Sequence, residues 1–286
     1  MGKTYREELV GVFGCPIDEN PTVVVAKAAF EDLGIPYRYL TILVKPEDLE
    51  NAMKSLTALN MKGIHLTIPH KVEVLKYLDV IAEDARIMGA VNTVYVKDGK
   101  LYGENTDGKG FITSLKEEKI EMNGKKAMVL GAGGASRAIT VELANAGIKT
   151  IQVANRISSG RGEELVKLLN EKTSAAAEYI PWDHTLEIPE DVDILVNTTN
   201  IGLYPDVDQK PDIDYETIKP EMVVCDVIPN HPHTVFLKEA EKAGAKTIDG
   251  LGMLINQAAI SFKFWSGYDC NCEVMKEALE KEYGLK

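Results

Sequence analysis

Residues 127–138 read Ala-Met-Val-Leu-Gly-Ala-Gly-Gly-Ala-Ser-Arg-Ala. An apolar run that stops at glycine and passes through small residues into a helix-compatible stretch spells strand, tight turn and helix start. Gly131 permits the turn, Gly133 lets the backbone approach a pyrophosphate, and Ala132, Gly134 and Ala135 complete the loop. The helix N-terminus then offers unpaired N–H groups and a partial positive charge to an anion. Ser136 stands where the generic fingerprint has its third glycine. A merely tight structural turn is the alternative; the strand–loop–helix context points to a nucleotide.

The rhythm continues downstream. Thr150–Ala154 reads as a strand, Arg161–Asn170 as a helix, and Asp193–Val196 and Met222–Val227 as buried strands. This is the pattern of a doubly wound, Rossmann-type domain. A site selective for NAD carries Asp or Glu at the end of the second strand; here that strand ends in Asn155-Arg156, with Arg161 soon after. Guanidinium groups suit a 2′-phosphate, so NADP is the expected cofactor and NAD the weaker candidate. The alternative is that both arginines are solvated helix-start residues.

Upstream, Val10–Phe13, Tyr37–Leu43 and Gly63–Ile68 read as strands, alternating with helices at Val23–Leu33 and Glu47–Leu59. Thr93–Val96 and Leu101–Gly103 flank an Asp98-Gly99 hairpin turn. The expectation is a second α/β domain with a mostly parallel sheet. Residues 1–107 would form this domain, with helices in 253–286 packing back on it, and 108–252 the NADP-binding domain.

Charge and composition narrow the function. A net charge of −12 over 286 residues disfavours nucleic acid and anionic lipid as partners. No stretch approaches the length of apolar residues a membrane span needs, and the first residues lack a signal pattern, so a cytoplasmic protein is expected. The pairs Cys270/Cys272 and His231/His233 are too isolated for a metal centre, and no metal is expected.

Three segments gather polar side chains among small residues: 63–71 with His65, Thr67 and Lys71, 88–93 with Asn92, and 103–108 with Asp107. A Lys and an Asp brought together could transfer a proton, the carboxylate positioning the amine. Spacing alone leaves open that both are solvated surface charges.

Taken together, these segments resemble the shikimate/quinate dehydrogenase family over nearly the whole chain. The resemblance is carried by Gly14-Cys15-Pro16-Ile17, Thr67-Ile68-Pro69-His70-Lys71, Gly89-Ala90-Val91-Asn92-Thr93, Asn105-Thr106-Asp107, Gly131–Ala138, Asn155-Arg156, Asn197-Thr198-Thr199 and residues 250–257, Gly-Leu-Gly-Met-Leu-Ile-Asn-Gln. It implies an NADP-dependent oxidoreductase acting at a ring hydroxyl of shikimate or a related acid, in aromatic amino acid biosynthesis, as a monomer or homodimer. It also implies roles: Lys71 as acid/base beside Asp107, with Asn92, Thr67 and Gln257 holding ring hydroxyls. Asn197, Thr198, Val227, Gly250 and Met253 would join the cofactor side.

The departures fall on the substrate side. Asn20-Pro21-Thr22 replaces a Ser-x-Ser pair that grips the substrate carboxylate, and Asp18 and Glu19 add negative charge nearby. His65 replaces an Asn, and Pro229 replaces a Tyr that reaches the same carboxylate. Asn and Thr still donate hydrogen bonds. His65 is open between a neutral donor to substrate and a core-edge histidine. The redox step is therefore expected to persist with altered specificity: quinate, another cyclohexane acid, or a polyol without the acid. A non-catalytic ligand sensor is the competing class, and the retained Lys71 and Asp107 argue against it.

Overall fold

The protein, described by a computed structural model over residues 5–229 and 232–285, divides into two compact units. Residues 1–106 and 255–286 form one, and residues 107–254 the other.

In the first unit the strands β1 (Glu8–Gly14), β2 (Tyr37–Leu43) and β3 (Gly63–Leu66) alternate with α1 (Thr22–Leu33) and α2 (Leu49–Ala58). The short α3 (His70–Glu73), β4 (Val80–Ile81) and α4 (Glu83–Met88) follow, then the hairpin β5 (Thr93–Lys97) and β6 (Lys100–Glu104). The helix α1 buries Val25, Ala26, Ala29 and Phe30, one helical stripe, and stops at Gly34 in the left-handed conformation. Asp98 and Gly99 both take positive φ, 52° and 71°, as a two-residue type I′ turn requires. The helix expected from Glu47 begins instead as a 3₁₀ turn at Pro46–Asp48, and β3 stops two residues short of the expected Ile68.

The sheet order is β2-β1-β3-β5-β6-β4. The sheet is mixed: β2, β1 and β3 are parallel, β5 is antiparallel to β3 and β6, and β4 runs parallel with β6. One core gathers Leu49, Met53, Ile64, Leu66, Val91 and Val94.

The second unit opens with α5 (Thr106–Glu117), whose first residue still belongs to the first unit. It continues through β7 (Lys126–Leu130), α6 (Gly134–Asn145), β8 (Thr150–Asn155), α7 (Arg161–Lys172) and β9 (Ala176–Pro181). It ends with β10 (Ile194–Asn197), β11 (Val223–Asp226), α8 (Val235–Lys242) and β12 (Lys246–Ile248). All pairings are parallel, in the order β12-β11-β10-β7-β8-β9. Strand direction of connection reverses between β7 and β10, and a ligand crevice is expected at the carboxyl ends of those two strands. The central β7 is buried along Ala127–Leu130, which explains its unbroken apolar run.

The last helices are α9 (Gly250–Ser266) and α10 (Cys272–Glu282). From Ile255 onward they belong to the first unit. Trp265 Nε1 donates to the Val94 carbonyl at 2.9 Å, and a Cβ on Gly63 would lie 2.0 Å from that nitrogen. Only glycine at position 63 lets the indole reach the sheet. No helix among the described residues is long and apolar enough to cross a membrane.

Candidate active site

In the second unit, the loops after β7, β8 and β10 wall a cavity of about 640 Å³. Gly131, Ala132 and Gly133 form one side, Asn155 and Arg156 a second, and Thr198, Thr199, Asn200 and Ile201 a third. Gly131 has φ 103°, and a Cβ there would lie 3.0 Å from Thr198 Oγ1. A Cβ on Gly133 or Gly134 would meet nothing within 4 Å, so their missing side chains leave room rather than relieve packing. Ser136, in the third-glycine position, is fully buried and donates to the Gly131 carbonyl at 2.8 Å, pinning the turn from beneath. Thr198 N and Oγ1 both donate to the Leu130 carbonyl, at 3.0 and 2.7 Å, joining the β7 and β10 loops. Backbone N–H groups at the start of α6, a 12-residue helix, complete an anion cradle that fits a pyrophosphate.

The loop after β8 is organised by Ser159, a residue without a motif of its own. Ser159 Oγ accepts from Asn155 Nδ2 and from Arg161 N, the latter at 3.3 Å, and donates to the Arg156 carbonyl at 3.0 Å. One hydroxyl thus folds residues 155–161 into a loop with both arginines exposed at its surface. The cavity also takes in Trp182, Asp183, His184 and Lys210, which carry no recognisable motif.

The remaining cofactor-side candidates divide. Asn197 is fully buried, beneath the wall rather than in it, and supports Thr199 through its side-chain oxygen. Gly250 lies against Val227 and Ile228: its Cβ would be 2.6 Å from the Ile228 carbonyl oxygen. That close approach explains the glycine by packing. Gly134, Ala135, Arg161, Val227, Gly250 and Met253 are not lining residues of this cavity.

In the first unit, a buried polar cluster centres on Asn92, 3% exposed. Its side-chain oxygen accepts from Thr106 N at 2.7 Å and from Thr93 Oγ1 at 3.1 Å. Its amide nitrogen donates to Thr106 Oγ1 at 3.0 Å and reaches Gln257 Oε1 at 3.5 Å. Ser261 closes the cluster, 2.8 Å from Thr93 Oγ1 and 3.1 Å from Thr106 Oγ1. Asn92 and Gln257 are therefore brought together, through hydroxyls the sequence did not single out. Beside them, Lys71 is half-buried in α3, and its carbonyl accepts from Val91 N at 2.8 Å. Asp107 is half-buried in the first turn of α5, where a helix N-terminus favours the carboxylate. The two fall in different compact units.

Asn20, Thr22 and His65 are tied into the first unit itself. Asn20 Oδ1 accepts from Thr22 N at 3.0 Å, just ahead of α1, and Thr22 is buried. His65, 5% exposed, lies 2.8 Å through Nδ1 from the Tyr39 hydroxyl. Its ring packs against Trp265 and Phe262, with centroids 4.6 and 6.1 Å away. Burial pushes the Tyr39 phenol well above its usual range, with Thr22 acting on it in the opposite sense. A neutral phenol that donates to Nδ1 leaves the proton of a neutral imidazole on Nε2. Tyr39 thus links Thr22 to His65, the latter 26 residues from it in sequence. Thr67 is half-buried one residue past β3, and its N–H donates to the Phe13 carbonyl at 3.0 Å. Pro229 is half-buried and offers no donor. Of the histidine pair, His231 lies outside the described residues. Cys272 Sγ donates to Asn256 Oδ1 at 3.7 Å, and the Cys270 thiol is pushed up to about 11, chiefly by burial.

Family models match three stretches of the chain. The shikimate dehydrogenase substrate-binding domain matches residues 12–94, shikimate/quinate 5-dehydrogenase residues 114–204, and the shikimate 5′-dehydrogenase C-terminal domain residues 250–280. The chain belongs to the shikimate/quinate dehydrogenase family. It is 42% identical to the NADP+ shikimate dehydrogenase of Methanocaldococcus jannaschii, over 96% of each chain. It is similar to the ligand-free 5-ketofructose reductase of Gluconobacter sp. strain CHM43, with 44% identity, a TM-score of 0.93, and coverage of 98% of this chain and 100% of that one. It is also similar to a Listeria monocytogenes shikimate 5-dehydrogenase bound to shikimate and NAD, with 32% identity, a TM-score of 0.91 and coverage of 96% and 97%. This dehydrogenase is accordingly NAD(P)-dependent, and the family contains members that act on a ketose as well as on shikimate.

Proposed function

We propose that this dehydrogenase interconverts a ketone and a secondary alcohol on a small polyhydroxylated molecule that needs no carboxylate, with NADP as its redox partner. The observation that carries this reading is the fate of the carboxylate grip. Asn20 accepts from Thr22 N through its amide oxygen and offers only its NH2 group as a donor, Thr22 is buried against Tyr39, and position 229 is a proline. The ketose reductase that this chain resembles acts, by its name, on a substrate of the proposed class.

In this mechanism Lys71 carries the proton, giving it to the carbonyl oxygen in reduction and taking it back in oxidation. Asp107 assists as the carboxylate that orients the ammonium. Asn92, Thr67 and Gln257 hold substrate hydroxyls, with Asn92 fixed in one orientation by the Thr106 N–H. His65, its tautomer set by Tyr39, adds a neutral donor where the family pattern has an amide. Such a site rejects analogues lacking the hydroxyls, because its own buried groups would be left unsatisfied. The glycine loop and the N-terminus of α6 hold the dinucleotide pyrophosphate, and Arg156 with Arg161 the 2′-phosphate. The dinucleotide, when bound, supplies or accepts the hydride.

A second reading is reduction of 3-dehydroshikimate in aromatic amino acid biosynthesis, favoured by curated relatives such as the archaeal enzyme. Steady-state rates of NADPH oxidation with 5-ketofructose and with 3-dehydroshikimate separate the two. The ketose is expected to have the higher kcat/KM. A clear preference for 3-dehydroshikimate, with Asn20→Ser bringing no gain, refutes the proposal.

A further inference from the structure

Beneath the cofactor cavity a chain of hydrogen bonds begins at a carboxylate that the redox step does not use. Asp226 ends β11 and is 2% exposed. Its Oδ1 accepts from Asn197 Nδ2 and from Ile228 N, both at 3.2 Å, and its Oδ2 accepts from Thr234 Oγ1 at 2.8 Å. Thr234 accepts in turn from Leu237 N at 3.3 Å as the N-cap of α8, so its own proton is committed to Asp226. Asn197 turns its oxygen the other way, accepting from Thr199 N at 3.1 Å and Thr199 Oγ1 at 2.7 Å. Thr199 Oγ1 then accepts from Ile201 N at 3.2 Å. Thr199 and Ile201 wall the cavity, and the Thr199 methyl lies 3.1 Å from where a Cβ of Gly131 would be.

We infer that Asp226 is a positioning residue for dinucleotide binding: through Asn197 its carboxylate fixes the loop after β10 against the glycine turn. The inference rests on reading that cavity as the cofactor site. The orientation of the Asn197 amide is forced by its neighbours. A carboxylate can only accept, so it must face the NH2 group, which leaves the oxygen for Thr199. Every partner of the carboxylate is a donor. A proton on Asp226 would set an O–H against N–H or committed O–H groups, and the arrangement would have to break somewhere. Burial pushes this carboxyl up to about 6, against the hydrogen bonds from Thr234, Asn197 and the backbone that favour its charge. The other ionisable groups that feel it are Tyr215 and Cys225, both pushed upward mainly by burial and neutral in the same pH range. Acidification through about pH 6 therefore loosens the wall.

The test is titration calorimetry of NADPH with the intact protein. Asp226→Asn is expected to weaken binding by about tenfold, the worth of a charge-assisted hydrogen bond, while kcat at saturating NADPH and the KM for the carbonyl substrate stay near wild type. From about pH 7.5 to about pH 5.5 the wild type should lose affinity faster than Asp226→Asn, because only the wild type carries the titrating carboxyl. The 2′-phosphate titrates alike in both proteins and cancels in the difference. Should Asp226→Asn fail to fold, Thr199→Val cuts the same chain at the half-buried end and should weaken NADPH severalfold. Asp226→Asn binding NADPH as wild type does, parallel pH profiles for the two proteins, or a Thr199→Val variant with unchanged affinity would each overturn the inference. A wild type that binds no NADPH overturns the cofactor reading itself, a different and distinguishable result.

Discussion

The glycine-loop cavity and the polar cluster of the first unit are built from different parts of the residue. Around the glycine loop the decisive groups are backbone: the Gly131 turn, the open flank of Gly133 and the first N–H groups of α6. Around Asn92 they are side chains bonded to side chains, among Thr93, Thr106, Gln257 and Ser261. A backbone site tolerates substitution as long as the turn survives; Ser136 in a glycine position even strengthens it by bonding to Gly131. A side-chain site changes its ligand with each replacement. On the proposed reading, the chain keeps its cofactor loop while the substitutions at Asn20, Thr22, His65 and Pro229 re-specify the substrate.

Three substitutions probe that contrast, in descending order of expected effect. Lys71→Ala should lower kcat by about 10² to 10⁴, the usual worth of a proton-transfer group, with NADPH affinity by calorimetry unchanged. A variant that keeps its rate would remove the side-chain half of the contrast. Gly133→Val adds a side chain where nothing lies within 4 Å of the first atom, so thermal stability should hold. NADPH binding should nonetheless fall by more than about tenfold, because the methyl groups occupy the approach path. A stability loss with intact binding would show that glycine serves packing instead. Arg156→Ala should cut the preference for NADPH over NADH by about tenfold, through loss of a charge-assisted phosphate contact. Equal losses for both cofactors would mean that Arg156 does not read the 2′-phosphate.

What could be read from the sequence follows the same division. The strand–glycine–helix unit, the Asp98-Gly99 turn and the end of β8 are local, and their chemistry is written in adjacent residues. Where the hairpin sits in the sheet was not: β5 against β3 and β4 against β6 follow from pairings distant in the chain. The edge strands β9 and β12 and the helix α8 carry no run of apolar residues comparable to β7 and passed unnoticed. Ser159 is one of two adjacent serines in the loop until folding brings Asn155 and Arg161 onto its hydroxyl. Tyr39 looked like any strand tyrosine, yet it joins His65 and Thr22. Trp182, His184 and Lys210 reach the cavity from segments without any cofactor motif. Gly250 is the instructive inverse: its place among cofactor residues came from resemblance, and its neighbours give it a packing reason as well.

The most direct test restores the missing grip and asks whether specificity follows. Asn20→Ser, Thr22→Ser and Pro229→Tyr would be combined, and kcat/KM measured with a carboxylate-bearing cyclic ketone and a carboxylate-free ketose in both proteins. The account predicts that the wild type favours the ketose and that the triple variant shifts the ratio toward the acid by about tenfold or more. A wild type that already favours the acid, with a ratio the triple variant leaves unchanged, would contradict it.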